Sequence, residues 1–186
     1  MPWIQGRMAT LVVVVIAMAA GASPARAEDG DVALANLAAC YTEGVDAIGA
    51  GRTDAGRAIW SGCFADDFSF AMGFGAAFSM SCPGEKCTFP AEMSPLARRV
   101  ALARGTYDRS GYVATSHHIT TLGIERTGAD SARVKGHLQA WHVRKDGATV
   151  LGLGTWEVRA RLTPAGWRIV DEKLDSPIRV VMPKAE

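Results

Sequence analysis

The sequence predicts an α+β fold, a cone-shaped barrel in which a curved antiparallel sheet packs on three N-terminal helices. Three observations carry that reading. Residues 114–174 are cut by three turn signals into four runs rich in β formers; the signals are Thr127-Gly128-Ala129-Asp130, Lys145-Asp146-Gly147 and Thr163-Pro164-Ala165-Gly166. Those runs are one-sided: Ala132, Val134, Leu138 and Ala140 share a face of the second, with Arg133, Lys135 and Gln139 opposite. In the third, Val150, Trp156, Val158, Ala160 and Leu162 share a face with Gly152 and Gly154. Such a sheet needs a cover on its apolar side, and the N-terminal half supplies apolar residues spaced three and four apart, the helical interval. Helices segregated from an antiparallel sheet make an α+β layer pair, and three of them against a curved sheet enclose a cone.

In chain order, residues 1–27 read as a secretory signal peptide. Arg7 gives the positive end, residues 9–20 the apolar core, and Ala25-Arg26-Ala27 a small-x-small cleavage site. The apolar core is about twelve residues, short of the roughly 20 needed to span a bilayer. The expected location is therefore secreted or periplasmic, with residues 28–186 as a single domain and no membrane span after signal removal. Arg7 and Arg26 leave with the signal, so the remainder is slightly acidic and has no dense Lys/Arg cluster. That argues against nucleic acid as a partner.

Export changes how the four cysteines read: an even count in an oxidising compartment points to two disulfides. Residues 31–50 carry Leu34, Leu37, Ala38, Tyr41, Val45 and Ile48 at helical spacing, and Gly49-Ala50-Gly51 breaks the run. Residues 54–64 read as a second helix with Ala55, Ile59 and Phe64 apolar. Three pairings of Cys40, Cys63, Cys82 and Cys87 are open in principle. In an antiparallel hairpin Cys40 and Cys63 stand nearly level about the turn, which favours Cys40–Cys63 and leaves Cys82–Cys87 to close a small loop. Residues 68–74 read as a short strand. Residues 75–90 form a small, apolar loop that serves either as a lid or as a packed surface loop. Residues 91–105 read as the third helix, with Gly105 as its stop. Residues 175–186, with Pro177 and Pro183, are expected to fold over one end of the sheet.

Four local patterns carry a family resemblance: Tyr41-x4-Asp46 in the first helix, Phe64-Ala65-Asp66-Asp67-Phe68 at the end of the second, His117-x2-Thr120 followed by Leu122-x-Ile124-Glu125, and Gly166-Trp167-Arg168-Ile169 opening the last strand. Together and in this order they resemble the SnoaL-like branch of the nuclear transport factor 2-like superfamily, over roughly residues 34–174. That superfamily holds scytalone dehydratase, lindane dehydrochlorinase and ketosteroid isomerase relatives. The resemblance implies a base at His117, on the first long strand, oriented by Asp46 from the first helix. It also implies supporting roles for His142 on the next strand and for Tyr41. Neutral imidazole has a pKa suited to taking a proton beside a leaving group, and a carboxylate on its other nitrogen fixes the tautomer. His142 also ends the apolar face of the second strand, independently of the resemblance. By simple alternation His118, not His117, shares a face with Leu122 and Ile124, so His118 is a rival. His137, Glu125, Asp66 and Asp67 read as solvated or capping residues, and the tryptophans as packing.

Two function classes follow. One is an exported, cofactor-independent lyase of dehydratase type, or an isomerase, acting on a small hydrophobic molecule. The other is a non-catalytic small-molecule binding or protein-interaction domain of the same fold. No Gly-rich phosphate loop and no ligand-spaced histidine pair is present, so no cofactor and no metal are expected. Leu151, Leu153 and Trp141 on the outer sheet face, beside Arg159 and Arg161, point to a homodimer.

Overall fold

The computed structural model describes residues 24–73, 79–82, 89–90 and 92–184. The bulk of the expected signal segment, the Cys82–Cys87 pairing and most of the 75–90 loop lie outside the described residues. The element order is α1 (Pro24–Gly49), α2 (Thr53–Ser61), β1 (Phe64–Gly73), β2 (Ser79–Cys82), α3 (Pro95–Ser110), β3 (Tyr112–Arg126), β4 (Ser131–Arg144), β5 (Thr149–Thr163) and β6 (Gly166–Met182). Three helices cover one face of a curved, unclosed six-stranded sheet of order β2-β1-β6-β5-β4-β3.

The meander β3–β6 is antiparallel throughout, as the turn signals require. The sheet as a whole is mixed, because β1 lies parallel to β6 and β2 antiparallel to β1. A purely antiparallel sheet is thus corrected: β1 returns to the sheet beside the last strand, a pairing set by contacts far apart in sequence. Residues 175–182 are likewise not a flap but the second half of β6, paired with β5 up to Met182. Pro177 is tolerated where the β5–β6 register shifts between Leu153 and Thr155. There the strands approach so closely that a Cβ on Gly154 would meet the backbone carbonyl of Asp175, so only glycine allows the bend that curves the sheet.

α1 buries Leu34, Leu37, Ala38, Tyr41, Val45 and Ile48, the face its spacing implies. It runs antiparallel along the edge strand β3, from an Arg126–Asp31 ion pair at one end to Asp46 against His117 at the other. α2 is shorter than expected: it ends at Ser61, and Phe64 starts β1. Its buried residues are Gly56 and Trp60, not Ala55, and the Trp60 indole N–H donates to the Tyr41 carbonyl at 3.0 Å. The Cys40–Cys63 disulfide ties α1 to the start of β1 across a Cα–Cα distance of 6.3 Å. α3 is shifted from the expected 91–105. Ser94 caps it by accepting from the Ala97 N–H, Pro95 opens it, and Gly111 at φ 67° ends it in the left-handed conformation. Gly105 therefore lies inside the helix, and the added turn carries Tyr107 into the core.

The narrow end of the cone is filled by aromatic rings. Tyr41 stacks on Trp60 at 6.0 Å and meets Trp156 at 5.6 Å, while Phe64, Phe68 and Phe70 follow along β1. Among the described residues no helix is long and apolar enough to cross a membrane.

Candidate active site

The wide end of the cone is open and holds a cavity of about 620 Å³. Its wall includes Tyr41, His117 and His142, three of the four candidate residues; the fourth, Asp46, stands behind His117.

His117 faces inward because of a strand irregularity. Residues 117–121 of β3 pair with 140–136 of β4, then the register shifts between Thr121 and Gly123. Strict alternation from Ile124 back to His117 fails across that extra residue, so His117 and Ile124 both point to the core side. His117 is 9% exposed, whereas His118 lies outside, its Nε2 3.1 Å from the Ser116 hydroxyl. The rival reading of His118 is thereby corrected. His137 is exposed.

Asp46 grips His117 twice. Its Oδ1 lies 2.7 Å from His117 Nδ1, and its Oδ2 accepts the backbone N–H of the same residue at 3.0 Å. The second bond exists because β3 is an edge strand whose outward N–H groups need partners. With Nδ1–H donating to a carboxylate, the lone pair of the neutral ring sits on Nε2.

His142 lies 5.2 Å from His117 between ring centroids, and its ring stacks on Tyr112 at 4.3 Å. Its Nδ1 is 2.9 Å from the Thr115 hydroxyl, which is also 3.3 Å from His117 Nδ1. Burial, then the neighbouring His117, push the His142 pKa down to about 3, against an opposing pull from Asp46. His142 is therefore a neutral ring at ordinary pH. Tyr107 closes the same corner, 5.7 Å from His142 and 6.5 Å from His117. Burial holds its phenol well above the usual tyrosine range.

Deeper in the cavity Arg99 forms a buried ion pair with Glu172, through Nε at 2.7 Å and Nη2 at 3.2 Å. Arg99 also donates from Nη2 to the Tyr41 hydroxyl at 3.3 Å and lies 5.0 Å over the Trp60 ring. The Tyr41 hydroxyl accepts from Arg99. Burial raises its pKa beyond the usual tyrosine value, with Arg99 opposing, so it stays a neutral donor.

Arg99, Glu172, Thr115, Tyr107 and Tyr112 were not singled out from the sequence. Arg99 falls in the apolar stripe Leu96, Val100, Ala103, Tyr107 of α3, which was the available signal. Glu172 turns inward because Ile169 pairs with Ala160 and Asp171 with Arg159, which leaves Val170 as an extra residue and inverts the phase of β6. Among the described residues no group of three His, Cys, Asp or Glu is placed to hold a metal ion.

A family model described as a SnoaL-like domain matches residues 30–172. The chain belongs to the SnoaL-like domain family. Solved structures agree on the fold. A protein from Kribbella flavida is 21% identical, covering 83% of this chain and 95% of its own, with a TM-score of 0.62. A hexachlorocyclohexane dehydrochlorinase, LinA type 2, is 13% identical over 88% of this chain and 96% of its own, with a TM-score of 0.63. A candidate scytalone dehydratase from Novosphingobium aromaticivorans is 15% identical over 86% and 99%, at 0.54. No curated protein sequence matches the chain.

Proposed function

We propose that this SnoaL-like protein is a cofactor-independent lyase of dehydratase type acting on a small, largely apolar molecule. The observation that carries the proposal is the His117–Asp46 pair at 2.7 Å on the wall of a cavity large enough for a ligand. His117 Nε2 takes the proton from the carbon beside the leaving group. The C–H electron pair forms the double bond as the C–O bond breaks, and protonated His117 returns its proton to the departing hydroxide, releasing water. Asp46 orients the ring and offsets the charge that develops on it. Tyr41, held by Arg99, donates to a substrate oxygen, and neutral His142 is a second polar contact. The names of two structural relatives, a dehydrochlorinase and a candidate dehydratase, fit elimination chemistry. An enone isomerase would use the same base, with the proton returned to carbon.

The test is a screen of hydroxy- and halo-substituted cyclic compounds for elimination, and of enones for isomerisation. Loss of about 10²–10⁴-fold in kcat/KM is expected for His117→Ala, the usual contribution of a general base. Full activity in that variant would sink the mechanism. An empty screen together with tight ligand binding would favour the alternative, a non-catalytic binding domain.

The reading extends to an exported homodimer. The disulfide fits an oxidising compartment, and N-terminal sequencing of the exported protein is expected to give a start at residue 28.

A further inference from the structure

We propose that the ligand is an aryl or cycloalkyl carboxylate whose ring body enters the cone and whose carboxylate stays at the mouth, between Arg109 and Arg179. This names the substrate class of the cavity and rests on reading that cavity as the ligand site.

The charge on the cavity wall is one-signed. Its described charged residues are Arg99, Arg109 and Arg179, and no Asp or Glu lines it. The three arginines differ in what answers them. Arg99 is buried at depth and is matched by Glu172 at 2.7 Å. Arg109, at the last turn of α3, and Arg179, on β6, are both exposed, and neither has a carboxylate within ion-pair distance among the described residues. Among the described residues Arg179 donates to the Tyr112 hydroxyl, at 3.0 Å. Elsewhere Arg104, Arg126, Arg144, Arg159 and Arg161 each hold an aspartate, while Arg52, Arg57 and Arg168 also lack one among the described residues; what sets Arg109 and Arg179 apart is that both line the cavity. Arg109 also complements the carbonyl end of its own helix, which accounts for its presence there but leaves its guanidinium donors open.

Below the mouth the wall is apolar, with Val45, Met72, Leu138, Val150 and Leu174 around the space. A carboxylate carried to that depth would lose water and meet a guanidinium already neutralised by Glu172. At the mouth it keeps part of its hydration and meets two open guanidinium groups. From Arg179 the side chains step inward through Tyr112, then His142 at 4.3 Å, then His117 at a further 5.2 Å. A ligand tethered at Arg179 thus presents to His117 an atom a ring or more away from its carboxylate. The group eliminated is remote from the carboxylate and not α or β to it.

The experiment compares 2-naphthoate with its neutral isostere 2-naphthamide, titrated by calorimetry into wild type, Arg109→Gln, Arg179→Gln and the double variant at low and high salt. Circular dichroism checks that each variant is folded. Wild type is expected to prefer the carboxylate about five- to twentyfold at low salt, since two partly exposed charge pairs supply that much. Each single variant should lose part of that preference, and the double variant nearly all of it, with naphthamide binding unchanged. High salt should erode the preference in wild type. Equal binding of the two probes, no binding of either, or a preference that survives in the double variant would overturn the proposal. The readout needs no turnover. A carboxylate preference with no eliminase activity leaves this inference standing while the lyase reading falls, and efficient elimination from neutral substrates alone does the reverse.

Discussion

Asp46 Oδ1 lies 2.7 Å from His117 Nδ1 while Asp46 Oδ2 accepts the His117 backbone N–H at 3.0 Å, so one carboxylate fixes both the ring and the strand that bears it. The two bonds separate under substitution. Asp46→Asn keeps a carbonyl oxygen for one of the two donors but turns its other atom into a donor that cannot serve the second. The expected result is a drop of about 10–10³-fold in kcat/KM for the elimination substrate, through a misplaced proton and a freed ring. The melting temperature should fall only slightly, because the Asp46 side chain is 29% exposed and the lost backbone bond can pass to water. Kinetics and thermal unfolding of the same preparation check this, and unchanged kcat/KM would show that Asp46 has no orienting role.

Acid should weaken the fold through His142. Its folded pKa, pushed to about 3 by burial and then by His117, lies below the ordinary histidine value of 6.5. Between those values the unfolded chain binds a proton that the folded protein refuses. The contribution of His142 is fully present above pH 6.5 and is lost as pH falls toward 3, by up to about 1.4 kcal/mol per pH unit. His142→Gln cannot take that proton. Urea unfolding from pH 7 to pH 4 should show wild type losing more stability than the variant across that window. Parallel curves would mean that the ring is protonated in the folded protein.

The buried pair predicts a different pattern. Arg99 and Glu172 are 1% and 0% exposed and bonded at 2.7 Å. Removing one partner strands the other charge in the core. Glu172→Leu or Arg99→Met alone should each cost about 3–5 kcal/mol, whereas the double replacement should cost much less than the sum. A denaturation double-mutant cycle measures it, and additive losses would mean that the two side chains do not act as a pair.

These same residues mark where the sequence was legible. The four long strands, their turns and the apolar face of α1 follow from periodicity, and Cys40 with Cys63 from their places about the hairpin turn. Two inserted residues defeat the period. The shift at Thr121/Gly123 sends His117 inward where alternation names His118, and Val170 sends Glu172 inward where alternation names Asp171. Gly123 beside the first was a signal for a bulge, whereas nothing next to Val170 announces the reversal of phase. The Ser94-Pro95 start and Gly111 end of α3 were written in capping chemistry, but Gly105 offered an earlier stop and hid Tyr107. The parallel pairing of β1 with β6 joins residues about a hundred positions apart, a match that no local pattern encodes. The burial of Arg99 depends on Glu172, 73 positions away, and no local pattern encodes that pairing.

The outer face of the sheet supplies the last prediction. Register sets Trp141 beside Leu151 and Leu151 beside Val180, with Leu153 and Ile178 paired in the neighbouring row. Trp141, Val143, Ile178 and Val180 are 36%, 37%, 54% and 43% exposed, so the patch lies open on the side away from the cavity. Farther along the same face the pattern turns charged, with Arg133 and Lys135 on Glu157 and Arg159 on Asp171. An apolar centre beside a polar border is the composition of a protein interface, and a stable one buries about 800 Å² on each partner. Sedimentation equilibrium at micromolar concentration is expected to give a dimer, and Trp141→Lys with Val180→Lys a monomer that keeps its circular dichroism. The lysines would face one another across a two-fold contact, where like charges repel and cannot be hydrated. A monomeric wild type would refute the dimer, and a dimer that survives both lysines would move the interface to another face.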